Sequence, residues 1–258
     1  MKVVLTIAGS DSGGGAGLQA DLKTFAALRV YGTSVVTAVT AQNTRGVRRS
    51  TTMTADLVAE QLDAVVSDFP VAAAKTGMLG NAEIVDVVAR MLPSIPLVVD
   101  PVLRSTSGAV LLDDAGLAAL RRGLLPRAAV VTPNLPEAFA LSGLEDPREA
   151  ARAIRDLGPT VVVIKGGHAT GATCEDLVFD GAFHFITGPR LDTRATHGTG
   201  CTLAAAIAAG LADGLSALDA IVRARRFLEA AMLAAQPLGG GSGPLHHLHA
   251  YYPWENSR

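Results

Sequence analysis

Residues 3–24 read VVLTIAGSDSGGGAGLQADLKT, and the fold turns on how this stretch breaks. The apolar lead, rich in Val, Leu and Ile, is strand material. It ends at Ser10-Asp11-Ser12, passes through Gly13, Gly14 and Gly15, and a helical pattern begins near Gly17. A strand that pours into a glycine-rich turn and then a helix makes room for a ligand. The same alternation continues down the chain. Residues 3–8, 34–41, 71–74, 97–99, 129–132 and 161–164 each read as a buried strand, rich in Val and Ile and without polar alternation. Between them lie helices. Leu57, Val58, Leu62, Val65 and Val66 recur at helical spacing behind Thr54 as N-cap; Ile84, Val87, Val88 and Met91 do so behind Asn81. This alternation predicts a three-layer αβα sandwich on a mostly parallel sheet. Residues 177–179 and 182–186 flank Asp180-Gly181, a hairpin signal. With no long linker or repeat, residues 1–258 are read as one domain.

The glycine run admits three ligands. A P-loop needs GxxxxGK[ST], and no Lys-Ser or Lys-Thr follows Gly17. Residues 15–20 fit the dinucleotide fingerprint GxGxxA, but the second strand ends in Ala41-Gln42-Asn43 and lacks the ribose-binding acid. The third reading makes the loop the floor of a small-molecule pocket. Asp21, placed in the first turn or so of the helix, and Gln42, at a strand end, together could read an aminated heterocycle. A helix-dipole role for Asp21 and a surface role for Gln42 explain the same residues equally well.

Near the other end, residues 195–203 read ATHGTGCTL. The N–H groups at that helix N-terminus form an anion site that needs no P-loop. Cys201 lies in the first turn, where the dipole is expected to lower the thiol's pKa, so that a thiolate takes a proton from a substrate hydroxyl. A small buried Cys in an Ala-rich helix is the plain alternative. Asn134 and Glu137, in TPNLPE, could orient a hydrated Mg²⁺ or form a capping box. Lys165 and Asp100 each end a strand, where phosphate or metal chemistry gathers.

The bulk composition narrows the class. Hydrophobic residues make up 49% and charged residues 18%, so the chain buries a core. A net charge of -2 gives no basic surface for nucleic acid. No stretch has the length of a signal peptide core or a membrane span. Cys174 and Cys201 show neither metal spacing nor a disulfide framework, so a cytoplasmic location is expected.

Several motifs together resemble the hydroxymethylpyrimidine/phosphomethylpyrimidine kinases of thiamine biosynthesis, in the ribokinase-like superfamily. They are IAGSDSGGGAGLQADLKTF, VTAVTAQNT, KTGMLG, VVDPVL, TPNLPEA, VIKGGH, THGTGCTLAAAIAAGL and the ending GPLHHLHAYY. The resemblance implies an ATP- and Mg²⁺-dependent kinase, usually a homodimer. It would phosphorylate 4-amino-5-hydroxymethyl-2-methylpyrimidine and then its monophosphate. It further implies that Asp21 and Gln42 contact the pyrimidine, with Gly9, Ala16, Met78 and Val102 lining the pocket. Cys201 would be the base, with Gly198, Thr199 and Gly200 completing the anion hole. Lys165, Asn134 and Thr196 would serve the nucleotide phosphates, and Asp100 and Glu137 the metal. Thr106 stands where many relatives have lysine, with Arg104 nearby, and the segment 142–147 looks short. Residues 104–108 and 166–172 are candidate lids. A vitamin B6 kinase of the same fold and a non-catalytic pyrimidine-binding regulator are the competing readings.

Overall fold

The computed structural model describes residues 1–105, 108–166 and 173–254. Nine strands form one sheet: β1 (Val3–Asp11), β2 (Tyr31–Asn43), β3 (Gly46–Thr52), β4 (Val71–Thr76), β5 (Leu97–Val99), β6 (Val130–Val131), β7 (Val161–Ile164), β8 (Thr173–Phe179) and β9 (Phe183–Pro189). Their order is β3-β2-β1-β4-β5-β6-β7-β8-β9. The central run from β2 to β7 is parallel, while β3, β8 and β9 are antiparallel additions at the two edges.

Period-two alternation fills both faces. Leu5, Ile7, Val99 and Val162 join one cluster, together with Val58, Leu62, Ile84, Val88, Leu141 and Ile154. These last six belong to α2 (Ala55–Val66), α3 (Ala82–Met91), α5 (Leu135–Ser142) and α6 (Pro147–Asp156). Val4, Val98, Val161 and Val163 turn the other way, onto α1 (Gly17–Ala27), α7 (Thr199–Ala212) and α8 (Ala217–Leu233). Helices thus cover both faces, as a sheet of continuous Val and Ile runs requires. The short α4 (Asp114–Ala119) runs into a π turn at Leu120–Leu124. The expected caps are present: Thr54 accepts from Leu57 N–H and Asn81 from Ile84 N–H.

Two sequence expectations need correction. β2 is not a buried strand throughout, since Val39 is 48% exposed. Its end pairs with β3, which the sequence reading did not contain: GVRRSTT lacks apolar alternation because nearly every residue of it faces solvent. Among the described residues no helix is long and apolar enough to cross a membrane.

Candidate active site

The parallel strands all deliver their C-terminal ends to one edge of the sheet. From β1 the chain moves outward to β2 and β3, then crosses back through α2 to β4 on the other side of β1, and such a switch point is where open α/β sheets place ligands.

The glycine turn is organised by Asp11. Its Oδ1 accepts from Gly13 N–H (2.8 Å), and its Oδ2 accepts from the N–H groups of Gly15 (3.0 Å) and Ala16 (2.9 Å). Oδ2 also meets His197 Nε2 at 2.8 Å. Burial opposes ionisation of Asp11, but His197 and these N–H groups outweigh it and hold the carboxyl below its usual range. His197 lies so close to Gly15 that a Cβ there would collide with the ring, and one at Gly198 (φ 87°) would strike the Gly15 carbonyl. Gln42, half-buried, brings its side-chain amide to 3.4 Å from His197 Nε2. Gly9 packs on Met78, whose Sδ lies 3.0 Å from where a Cβ would stand. Gly9, Ala16, Gln42 and Met78 thus gather around the turn, while Val102 stands half-buried just past the end of β5.

Asp21 departs from expectation. It lies in the second turn of α1 and is 0% exposed. Lys75 Nζ sits 3.0 and 2.8 Å from its two oxygens, and Thr6 Oγ1 donates to it at 2.6 Å. Burial holds Asp21 above its usual range in spite of Lys75 and the Thr6 hydroxyl, while Asp21 holds Lys75 above its own. The residue expected to contact the pyrimidine is thus placed inside the protein, between Lys75 and Thr6. The sequence reading missed Lys75 as a site neighbour. Its signal was present: a lysine inside the apolar strand β4 requires a buried partner.

The phosphoryl end is the first turn of α7. Gly198 is its N-cap, and no side chain caps the turn, so its N–H groups are left for an anion. Thr199 Oγ1 instead donates to the carbonyl of the exposed Thr196 (3.2 Å). Cys201 is a free, partly exposed thiol in this turn. The expected lowering of its pKa is also corrected. Burial pushes the thiol up to about 11, with Asp21 and Asp100 adding to the rise; Lys75 and the Gly17 N–H oppose it and lose. At neutral pH the resting group is the thiol.

Gly200 connects this turn to the third cluster. A Cβ on it would lie 3.2 Å from Lys165 Nζ and 3.7 Å from Asp100 Oδ2. Lys165 Nζ contacts Asp100 Oδ1 at 2.8 Å and Glu137 Oε2 at 3.9 Å, and Thr132 Oγ1 donates to Asp100 (3.0 Å). Asn134 and Glu137 form the capping box of α5: Glu137 N–H donates to Asn134 Oδ1 (2.9 Å), and Asn134 N–H to Glu137 Oε2 (2.8 Å). Burial pushes Glu137 up to about 7, helped by Asp100 and resisted by Lys165. Behind Lys165, Gly166 N–H donates to Asp176 (2.8 Å), whose other oxygen accepts from Arg225 (2.9 Å). Thr106 and His168, and most of the second candidate lid, lie outside the described residues.

Among the described residues no three His, Cys, Asp or Glu side chains are grouped to hold a metal. Asp100 and Glu137, two carboxylates converging on one lysine, suit Mg²⁺ that keeps its waters and binds mainly through phosphates.

An uncapped helix N-terminus beside a lysine shared by two carboxylates, next to a glycine-rich turn at the switch point of the sheet, suits a small-molecule kinase of the ribokinase-like fold. Comparison narrows the class: residues 11–246 match the phosphomethylpyrimidine kinase family, and the chain belongs to it. The hydroxymethylpyrimidine/phosphomethylpyrimidine kinase of Rhizobium meliloti is 50% identical, over 97% of this chain and 98% of that protein. The Geobacter sulfurreducens thiamine biosynthesis bifunctional protein is also 50% identical; the match takes in 95% of this chain and 52% of that longer protein. A solved pyridoxal kinase from Staphylococcus aureus, in complex with ADP, superposes with a TM-score of 0.90 at 39% identity, covering 97% of this chain and 95% of that one.

Proposed function

We propose that the chain transfers the γ-phosphoryl group of ATP to the hydroxymethyl oxygen of 4-amino-5-hydroxymethyl-2-methylpyrimidine, and then phosphorylates the monophosphate to the diphosphate. The observation that carries the reading is the uncapped first turn of α7, with Cys201 in it and Lys165 and Asp100 across Gly200. The transition state of such a transfer is loose, so positioning and charge stabilisation do most of the work. The N–H groups of residues 198–201 would hold the transferring phosphoryl oxygens, and Lys165 would leave Asp100 for the nucleotide phosphates. Bound Mg²⁺ would neutralise phosphate charge, with Asp100 and Glu137 as the carboxylates that hold it. Gln42 offers donor and acceptor together to the aminopyrimidine, over the wall of Gly9, Ala16 and Met78. Cys201 would accept the hydroxyl proton as a thiolate formed beside Lys75.

Incubating the protein with ATP and each of hydroxymethylpyrimidine, its monophosphate, pyridoxine, pyridoxal and ribose, with products resolved by mass, tests this. Successive mono- and diphosphates of the pyrimidine are expected. Turnover of pyridoxal alone favours the second reading, for which the likeness to the Staphylococcus pyridoxal kinase speaks. Tight pyrimidine binding without turnover leaves a regulator. Cys201→Ala is expected to lose at least about a thousandfold in kcat and keep pyrimidine binding. If the thiolate is the base, log kcat/KM climbs from pH 7 to 9 with a slope near one. A flat profile removes Cys201 from proton transfer.

A further inference from the structure

His197 has no part in the chemistry above, yet it touches both halves of the site. Asp11 is the residue on which the glycine turn closes, with three backbone N–H groups on its two oxygens. An ionised carboxylate only accepts, so His197 Nε2 carries the proton in the 2.8 Å contact to Oδ2. The Gln42 amide nitrogen lies 3.4 Å from the same ring atom, and Thr40 Oγ1 donates to the Gln42 oxygen (3.2 Å), so the ring stands beside the Gln42 side chain without holding it. The next residue, Gly198, begins the anion turn so close to Gly15 that a Cβ on it would strike the Gly15 carbonyl. His197 is buried, which leaves the ring little freedom to swing away, and its backbone N–H donates to Gly243 O (3.1 Å), which holds the main chain that carries it.

We propose that His197 is a positioning residue that ties the ring-binding turn of residues 11–16 to the phosphoryl-binding turn of residues 198–201, and thereby sets the distance between acceptor hydroxyl and transferring phosphoryl. The inference rests on the kinase reading of the site but not on which alcohol is the acceptor. Reacting atoms held about 1 Å out of place lose roughly a hundredfold in rate while each substrate still binds.

The test compares His197→Leu, which removes the donor, with His197→Gln, whose amide nitrogen can reach Asp11. Steady-state kinetics are run with ATP and the best alcohol the wild type accepts, alongside hydrogen exchange over residues 10–18. His197→Leu is expected to lower kcat roughly ten- to a hundredfold with both KM values within about threefold. Exchange at the N–H groups of Gly13, Gly15 and Ala16 is expected to speed up at least about tenfold. His197→Gln is expected to recover most of both. A His197→Leu variant with wild-type kcat and protection overturns the proposal, as does an equal defect in the two variants when both melt at the wild-type temperature. Turnover of pyridoxal but not of the pyrimidine overturns the substrate reading and leaves this comparison intact. If no alcohol is phosphorylated, exchange decides alone, and unchanged protection in His197→Leu overturns the tie.

Discussion

Lys75 meets Asp21 at 2.8 Å, and Lys165 meets Asp100 at 2.8 Å, both near the same edge of the sheet. The first pair is closed. Both side chains are 0% exposed, and Lys75 and Thr6 occupy the carboxylate. The second is open on one side: Lys165 keeps 16% exposure and is shared between Asp100 and Glu137. An equal contact distance therefore says little about role. The closed pair has nowhere to go and fixes α1 to β1 and β4. The open lysine, between two carboxylates of which one is pushed up to about 7, can trade its partner for phosphate.

Lys75→Met is the largest stroke against this contrast. It strands a buried carboxylate, so a loss of about 3–5 kcal/mol is expected in urea unfolding. A loss under about 1 kcal/mol would make the closed pair dispensable. Lys165→Met should behave the other way: kcat/KM for ATP falls roughly a hundredfold, while stability falls clearly less than in Lys75→Met, because the open side lets water reach Asp100 and Glu137. If it unfolds the protein as Lys75→Met does, the contrast fails.

A buried ionisable group without a counter-ion sharpens the point. His247 is 2% exposed, its Nε2 lies 2.9 Å from Thr202 Oγ1, and burial, aided by Lys23, holds it down to about 3. Below its unfolded pKa near 6.5 the unfolded chain takes a proton that the folded protein refuses until pH 3. Stability is therefore whole above pH 6.5 and falls as pH drops through it, by about 1 kcal/mol between pH 7 and 5.5. Denaturation at those two pH values should show this slope reduced in His247→Gln. The smallest effect is expected at Gly200→Ala, whose methyl crowds the mobile tip of Lys165. A severalfold rise in KM for ATP, worth less than about 1 kcal/mol, would place Lys165 on the nucleotide; an unchanged KM would place it elsewhere.

The parts legible in the sequence are those with a local cause. β5 and β7 were read to the residue because Val and Ile runs between breakers admit little else. Asn134 and Glu137 were seen as either metal ligands or a cap, and three-residue spacing gives the cap by itself. What stayed hidden depends on partners far along the chain. The partner of Asp21 is one such case, because nothing near it in sequence announces Lys75. Cys201 looked acidic because the helix terminus is local, whereas the burial that overrules it comes from β1, β4 and β5 packed around α7. His197 and Asp11 are 186 residues apart, and no spacing rule links them.

That separation has a consequence for how the protein is made. Thr44 accepts from Gly241, and Arg29 reaches Tyr251, so the first strands are fastened by segments translated about two hundred residues later. At roughly 5 to 20 residues per second, Asp11 waits about ten to forty seconds on the ribosome before His197 is even polymerised. The glycine turn of a nascent chain is thus an unfinished site. A ribosome stalled just before that histidine has made the residues of all nine strands but not the side chain on which Asp11 closes.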